Sequence, residues 1–199
     1  MAGTNQTLFI SASATGYGNT NWYFDDTGSA FDFGTVAEQG VLSVDPTASI
    51  FTTITPNYST NDTNVAGYYT CGYDCTGDTN SPSLATNGTI KFFGNSGWYI
   101  MGTVDSFNGQ RLPQNTEQWS FLTWFASNAF GGTSYSNTPV GAVTHVNEPT
   151  SGGQENRYIY YADWDLRRSF AITAWDALHG NTAQDFLQCA VVGDPFTIK

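Results

Sequence analysis

Hydrophobic residues in this chain fall mostly into short continuous runs rather than into alternating patterns. The clearest run covers residues 97–104, Gly-Trp-Tyr-Ile-Met-Gly-Thr-Val, and leads into the polar turn 105–108, Asp-Ser-Phe-Asn. Strands that are buried on both faces have this appearance, and they are typical of parallel sheets covered by helices. The pattern therefore predicts a central buried strand over 97–104.

Further strands are predicted from runs that are rich in β-branched and aromatic residues. These runs cover residues 7–14, 50–54, 65–71, 139–146 and 186–192. Glycine, proline or asparagine follows closely after most of them, as expected where a strand ends in a turn. Asp45-Pro46, just before the second run, is compatible with either a helical turn or a loop.

Three segments predict helices, at 19–33, 117–130 and 157–178. The second has the clearest apolar stripe at helical spacing and is followed by a Gly-Gly pair that would terminate it. The stripe consists of Trp119, Leu122, Trp124, Phe125 and Ala129. Within the third segment, the polar sequence at 164–168 predicts a break between two helices.

The recurrence of apolar strands and helices predicts an α/β fold with a mainly parallel, three-layer sheet. A length of 199 residues fits one domain, so we expect a single α/β domain over 1–199. Two alternatives stay open: a mixed β-rich fold, which the Thr, Gly and aromatic content would suit, and a domain cut from a longer precursor.

The charge and composition of the chain indicate which classes of molecule it could bind. The chain has 6 Lys and Arg against 17 Asp and Glu, a formal charge of -11, which disfavours nucleic acid and anionic membranes. Aromatic residues make up 16% and charged residues only 12%, so the polar surface is mainly Asn, Thr, Ser and Gly. We therefore expect an extracellular or cell-surface protein that contacts a protein, a second copy of itself or a glycan.

Three cysteines, Cys71, Cys75 and Cys189, are too few for a disulfide framework. Cys71 and Cys75 are spaced for a short disulfide loop or for two thiols. Together with a distant histidine they fall short of the four ligands of a structural zinc site. Cys189 lies in an apolar run, where a buried, inert thiol is expected.

Candidate catalytic residues follow the predicted strands. Parallel strands end at one edge of the sheet, so we expect the site there, with Asp74 and Asn108 close to the other candidates. Ser106 would be the nucleophile, His145 the base and Asp105 or Glu148 the orienting carboxylate. Alternatively, Asp105 and Ser106 satisfy backbone donors of their own turn, and His145 is a packed strand residue.

Four acidic residues are predicted to crowd that same edge: Asp74, Asp105, Glu148 and Asp194. Clustered carboxylates can bind a hard cation such as calcium. The Asp-rich loop of a hand-type calcium site is absent, however, and acidic residues are common throughout a chain of this charge. We therefore expect no cofactor, with calcium as the alternative.

Four segments in order, 67–73, 97–108, 140–149 and 191–196, resemble an uncharacterised bacterial family of secreted or surface proteins. That family is similar to the gingipain and caspase-like cysteine peptidases, whose last strand also runs into Gly-Asp-Pro. The resemblance implies a caspase/gingipain-like (flavodoxin-like) sheet, with a catalytic His after the strand at 65–71 and a catalytic Cys after the central strand.

The sequence departs from that pattern at both catalytic positions. Tyr73 and Asp74 stand where the histidine is implied, and Asp105 and Ser106 stand where the cysteine is implied. A thiolate nucleophile needs a neighbouring base, so peptidase activity by that mechanism does not transfer. We therefore expect a catalytically silent binding or assembly module, with a hydrolase that uses Ser106 or the acidic edge as the alternative.

Overall fold

The computed structural model describes residues 19–26, 33–54, 61–70, 85–86, 88–94, 96–103, 109, 121–146, 156–179 and 189–199. The strand predicted at 7–14 lies outside these residues. So do Cys71 and Cys75, for which a short disulfide or two thiols was expected.

Eight strands are described in two sheets. Their bounds are β1 Asn21–Asp26, β2 Ser49–Ile54, β3 Asp62–Thr63, β4 Val65–Thr70, β5 Phe92–Phe93, β6 Ile100–Thr103, β7 Gly141–His145 and β8 Cys189–Gly193. The main sheet has the order β2-β1-β4-β6-β7-β8, and β3 and β5 form a separate ribbon. All neighbours in the main sheet are parallel except β7 and β8. The predicted mainly parallel α/β sheet is thus confirmed, and the run at 97–104 supplies the central strand β6.

In the part of the chain that the structure describes, three helices cover one face of the main sheet: α1 Phe33–Val44, α2 Arg157–Asp165 and α3 Phe170–His179. The predicted break at 164–168 is confirmed, since α2 ends at Asp165 and Arg167 adopts a positive φ of 60°. Asn156 caps α2, because its side-chain oxygen accepts a hydrogen bond from the Ile159 amide at 3.1 Å. Among the described residues, no helix has the length and apolar character needed to cross a membrane.

Hydrogen bonds from the aromatic side chains of α2 hold this helix against the sheet. The Tyr161 hydroxyl donates to the Tyr68 carbonyl at 2.7 Å, and the Tyr160 hydroxyl donates to the Met101 carbonyl at 3.1 Å. The Trp164 indole N–H donates at 3.0 Å to the carbonyl of Ala66. Ala66 is the extra residue at a register shift between β1 and β4. These hydrogen bonds pair buried donors and acceptors that would destabilise the fold if they were left without a partner.

Two short 3₁₀ helices, Phe121–Phe125 and Ala129–Gly131, cover the opposite face together with the β3–β5 ribbon. The α-helix predicted over 117–130 is therefore wrong in its described part, 121–130. Phe130 leaves helical geometry with a φ of 51° and stacks on Phe92 with ring centroids 4.8 Å apart. The Asn137 amide donates to the carbonyls of both residues, at 3.0 and 2.7 Å. These tertiary contacts replace the regular helix that the apolar stripe predicted.

The helix predicted over 19–33 is also wrong over 21–26, which form β1 between β2 and β4. Residues 27–32 of that prediction lie outside the described residues. Trp22 and Phe24 pack under the helices while Tyr23 belongs to the core on the opposite face. Apolar side chains on both faces conceal the period of two that identifies a strand. Helix α1, which follows at Phe33–Val44, was missed by the sequence analysis.

Gly40 allows α1 to pack very closely against α2. A Cβ atom at Gly40 would lie 2.2 Å from the backbone carbonyl oxygen of Tyr158, a distance that no side chain can occupy. Glycine lowers helix propensity, so the residue that makes this packing feasible also weakens the helical pattern in the sequence.

Candidate functional site

The carboxyl ends of three adjacent parallel strands define the edge where the site was expected. β4 ends at Thr70, β6 at Thr103 and β7 at His145, and Thr70 pairs with Thr103 across β4 and β6. The chain therefore leaves all three strands at one edge of the sheet, which we call the carboxyl edge. In α/β sheets, binding and catalytic groups collect at this position.

Of the predicted site residues, the structure describes His145 and Asp194. Asp74, Asp105, Ser106, Asn108 and Glu148 lie outside the described residues. The triad of Ser106, His145 and a carboxylate therefore stays a prediction, as does the alternative in which Asp105 and Ser106 only stabilise their turn.

His145 is the last residue of β7 and is fully buried, with 0% of its surface exposed. Its backbone carbonyl accepts a hydrogen bond from the Gly109 amide at 2.6 Å. A Cβ atom at Gly109 would lie 2.9 Å from the Cβ of Ala190 and 3.1 Å from Cγ2 of Thr144, so glycine fits this crossing. Gly109 comes only six residues after Thr103, the last residue of β6. The chain that leaves β6 therefore reaches the end of β7 over this short distance.

Cys189 stands directly opposite His145 in the antiparallel pair of β7 and β8. Residues opposed in this way have Cβ atoms about 4.5 to 5.5 Å apart on the same face of the sheet. Cys189, where a buried, inert thiol was expected, is half-buried and packs against the core under the helices. An imidazole beside a thiol is a pair capable of proton transfer.

Sequence analysis missed this pair because it depends on the direction of β8. An apolar run indicates a strand but does not reveal whether the strand runs parallel or antiparallel to its neighbour. Since β8 is antiparallel, its first residue, Cys189, lies at the carboxyl edge.

The same strand direction corrects the placement of Asp194. Asp194 follows the last residue of β8, and Gly193 pairs with Gly141 at the start of β7. Asp194 donates its backbone N–H to the Val140 carbonyl at 3.4 Å, at the edge of the sheet opposite to His145. The prediction that Asp194 shares one acidic rim with Asp74, Asp105 and Glu148 is therefore wrong, since those residues follow strands that end at the carboxyl edge.

No group of three or more His, Cys, Asp or Glu side chains arranged to hold a metal ion occurs in the described part of the chain. The two candidate calcium ligands that follow β4 and β6, Asp74 and Asp105, lie outside that part, as does Glu148. A calcium site at the carboxyl edge therefore stays a prediction without Asp194.

A second polar cluster links α2 and α3 on the helical face. Nη1 of Arg168 contacts Oδ2 of Asp163 at 3.2 Å and Oδ2 of Asp176 at 2.9 Å. Burial, followed by the hydrogen bond to Asp176, raises the pKa of Asp163 to about 6, although Arg168 opposes the change. The spacing of these residues in the sequence gave no sign of the cluster, because the turn between the helices brings them together.

No protein-family model, curated protein or solved structure matches this chain. The described ranges define the class of protein as α/β: within them, a mainly parallel sheet of six strands has three helices on one face and a β-ribbon with 3₁₀ helices on the other.

Proposed function

We propose that this chain is a catalytically silent caspase/gingipain-like domain that acts as an extracellular or cell-surface binding and assembly module. The proposal rests partly on the resemblance of the four ordered sequence motifs. Five adjacent parallel strands, and a last strand that leads into Gly193-Asp194-Pro195, are compatible with the architecture which that resemblance implies. The residues at the implied catalytic positions, Tyr73, Asp74, Asp105 and Ser106, include neither histidine nor cysteine.

The observation that favours a binding role is a set of large apolar side chains left exposed near the last strand. Trp175 is 57% exposed, Phe196 is 67% exposed and Val191 is 42% exposed. Single exposed apolar residues are ordinary, but several on neighbouring elements are typical of an interaction surface. A protein partner fits such a surface better than nucleic acid or an anionic membrane, which the charge of -11 repels.

Aromatic residues are also exposed elsewhere, which keeps a glycan partner as an alternative. Phe51 on β2 is 47% exposed and stacks on Tyr23 with ring centroids 4.9 Å apart. Asn21 and Thr63 lie beside Tyr23, whose hydroxyl donates to the Thr63 carbonyl at 3.2 Å. Binding to a glycan array that is lost in Phe51→Ala protein would identify this surface as the functional one.

A peptidase assay tests the catalytic silence directly. We expect no cleavage of a peptide library by the full chain, with or without reducing agent. Turnover that disappears in Cys71→Ala, Cys75→Ala or Cys189→Ala protein would overturn the proposal. The same result with Cys189→Ala alone would identify the thiol opposite His145 as the nucleophile.

A hydrolase that uses Ser106 is the second candidate, favoured by the position of His145 at the end of β7. Ser106 follows the end of β6 by three residues, and β6 and β7 are adjacent parallel strands. A fluorophosphonate probe should label Ser106 in this case, and Ser106→Ala protein should not be labelled. Absence of labelling at pH values from 6 to 9 would remove this candidate.

A further inference from the structure

We propose that the junction between α2 and α3 is a proton-operated latch that acts on the carboxyl edge of the sheet. A proton shared between Asp163 of α2 and Asp176 of α3 keeps the second half of α3, residues 174–179, docked against α2. When this proton is lost, the second half of α3 opens more often, and so does the contact that it makes at the carboxyl edge. The latch acts on that edge whatever binds there, so it does not depend on the proposed binding role.

The first support is the arrangement of three charged side chains at the junction. Nη1 of Arg168 lies 3.2 Å from Oδ2 of Asp163 and 2.9 Å from Oδ2 of Asp176. The side chain of Asp163 is only 8% exposed, whereas those of Asp176 and Arg168 lie nearer the surface. A hydrogen bond also joins the two carboxyl groups. Ionised carboxylates only accept hydrogen bonds, so this bond exists only while one of the two carries a proton.

Loss of the proton changes the balance at the junction. Burial and then the hydrogen bond to Asp176 raise the pKa of Asp163 to about 6, while Arg168 lowers it. Above this pH, two carboxylates lie side by side against one arginine, and Asp163 carries its charge in a buried position. Opening of the junction hydrates that charge, so the open state becomes more favourable relative to the docked state as the pH rises.

The junction itself determines when the proton is lost. Arg168 and Asp176 are the described charged groups that shift the pKa of Asp163. Asp165, the other acidic residue of α2, forms an ion pair with Lys199 instead. None of the other charged or imidazole side chains of α1, α2, α3 and the turn contributes to the shift. These are Glu38, Arg157, Arg167 and His179.

The second support is that the two helices are held unequally. Side-chain hydrogen bonds hold α2 against the sheet along its length. α3 is held at its start, where the Phe170 ring packs against Gly141 of β7. Asp176 lies six residues further along, so loss of the proton acts on the second half of α3. Ala177 and Leu178 still belong to the core, so the change is in how often this half opens, not in the folded structure.

The third support is the contact through which α3 reaches the carboxyl edge. Ala177 directly follows Asp176, and its carbonyl accepts the Asn156 amide at 2.8 Å. Asn156 caps α2, and the guanidinium of Arg157, the first residue of this helix, lies 5.2 Å from the centre of the Tyr69 ring. Tyr69 is the last but one residue of β4, at the carboxyl edge. Opening of the second half of α3 therefore removes a support from the start of α2 at this edge.

Amide hydrogen exchange of the full chain, followed by NMR between about pH 5 and 7.5, tests the latch. Protection factors correct each rate for the chemical effect of pH, so they report opening of the structure. The protection of the Asn156 amide should fall by about tenfold or more over this range, because one unit of pKa shift corresponds to a factor of ten. The Tyr160 amide donates to the Asn156 carbonyl within α2 and is the internal reference. Its protection should change by less than about twofold.

Three variants identify the groups that are responsible. Asp163→Asn and Asp176→Asn each remove one of the paired carboxyl groups, so the protection of the Asn156 amide should become independent of pH in both. Asp165→Asn is the matched control, because it removes a carboxylate from the same helix and leaves the pair intact. The fall in protection should persist in this variant. Circular dichroism shows whether each variant is folded, and Asp176→Asn, at the more exposed position, provides the test if Asp163→Asn does not fold.

Three results would overturn the proposal. The first is a wild-type chain in which the protection of the Asn156 amide does not fall as the pH rises. The second is a fall that persists in Asp176→Asn protein. The third is an equal fall at the amides of Asn156 and Tyr160, because α2 would then open together with α3 and the junction would not act as a latch.

Discussion

His145 and Cys189 stand opposite each other across the only antiparallel pair that the structure describes in the main sheet. Both lie at the carboxyl edge, although His145 ends its strand and Cys189 begins its own. Val143, two residues before His145, and Cys189 both contribute to packing under the helices. The strand period of two therefore places the His145 side chain on that face as well.

A disulfide can test this register. In a background with Cys71→Ser and Cys75→Ser, the variant His145→Cys is expected to form a crosslink with Cys189 under mild oxidation. Directly opposed residues of antiparallel strands have Cα atoms about 4.5 to 5.5 Å apart, within the range that a disulfide spans. Thiol titration and a mobility shift on reduction provide the measurement.

Thr144→Cys in the same background is the matched control. Thr144 pairs with Ala190, and its side chain points to the opposite face, so it should remain uncrosslinked. A crosslink in the control and none in His145→Cys would show that the register differs by one residue.

The hydroxyl of Tyr161 provides a test of how α2 is held on the sheet. Tyr161→Phe removes the hydrogen bond to the Tyr68 carbonyl, and both residues are fully buried. We expect the free energy of unfolding to fall by about 1 kcal/mol, because a buried acceptor loses a partner. Urea denaturation, with the m-value checked for constancy, measures the change.

Tyr158→Phe is the control for this variant, because Tyr158 belongs to the same helix and is 40% exposed. Its effect should stay within about 0.5 kcal/mol. Equal losses in the two variants would contradict an anchoring role for the Tyr161 hydroxyl.

Gly40→Ala tests the close approach of α1 and α2. Alanine favours a helix over glycine by about 1 kcal/mol, so an unconstrained site would be stabilised. The added methyl group would instead collide with the Tyr158 carbonyl at 2.2 Å. We expect a net destabilisation of about 2 kcal/mol in chemical denaturation, because the two helices must move apart.

Gln39→Ala, at an exposed position beside Gly40, should change the free energy of unfolding by less than about 0.5 kcal/mol. Stabilisation by Gly40→Ala would mean that the helices are farther apart than described.

The carboxyl pair between α2 and α3 predicts a pH dependence. The pKa of Asp163 is raised to about 6 from an ordinary value of 3.8, mainly by burial and then by the hydrogen bond to Asp176. Between about pH 4 and 6 the folded state therefore binds more protons than the unfolded state. The protonated form of Asp163 therefore stabilises the folded state. This stabilisation should be fully present below about pH 4 and should decline as the pH rises to 6.

Denaturation midpoints at several pH values, for wild-type and Asp163→Asn protein, provide the measurement. Asparagine cannot titrate, so the difference between the two proteins should change across this window and become constant above it. Arg168 and Asp176 face the same carboxyl group and should keep their positions in both proteins. A difference that is independent of pH would exclude a raised pKa for Asp163.

Part of the candidate site could be predicted from the sequence. A polar residue at the end of an apolar run implies a position at the carboxyl edge if the strand is parallel, and His145, the last residue of β7, meets this condition. The same reasoning failed for Asp194, because β8 runs in the opposite direction. It also missed Cys189 for that reason, since the residue begins its strand instead of following it.

By itself, the sequence determined the mainly parallel sheet, its central strand and the broken helical segment at 157–178. Continuous apolar runs and a polar interruption are local consequences of burial, so they can be recognised without knowledge of neighbours. Only the tertiary structure decided that residues 21–26 are a strand, that 121–125 and 129–131 form 3₁₀ helices and that β8 is antiparallel. In each case the deciding interaction joins distant segments: β2 and β4 flank β1, Asn137 and Phe92 hold Phe130, and β7 fixes the direction of β8.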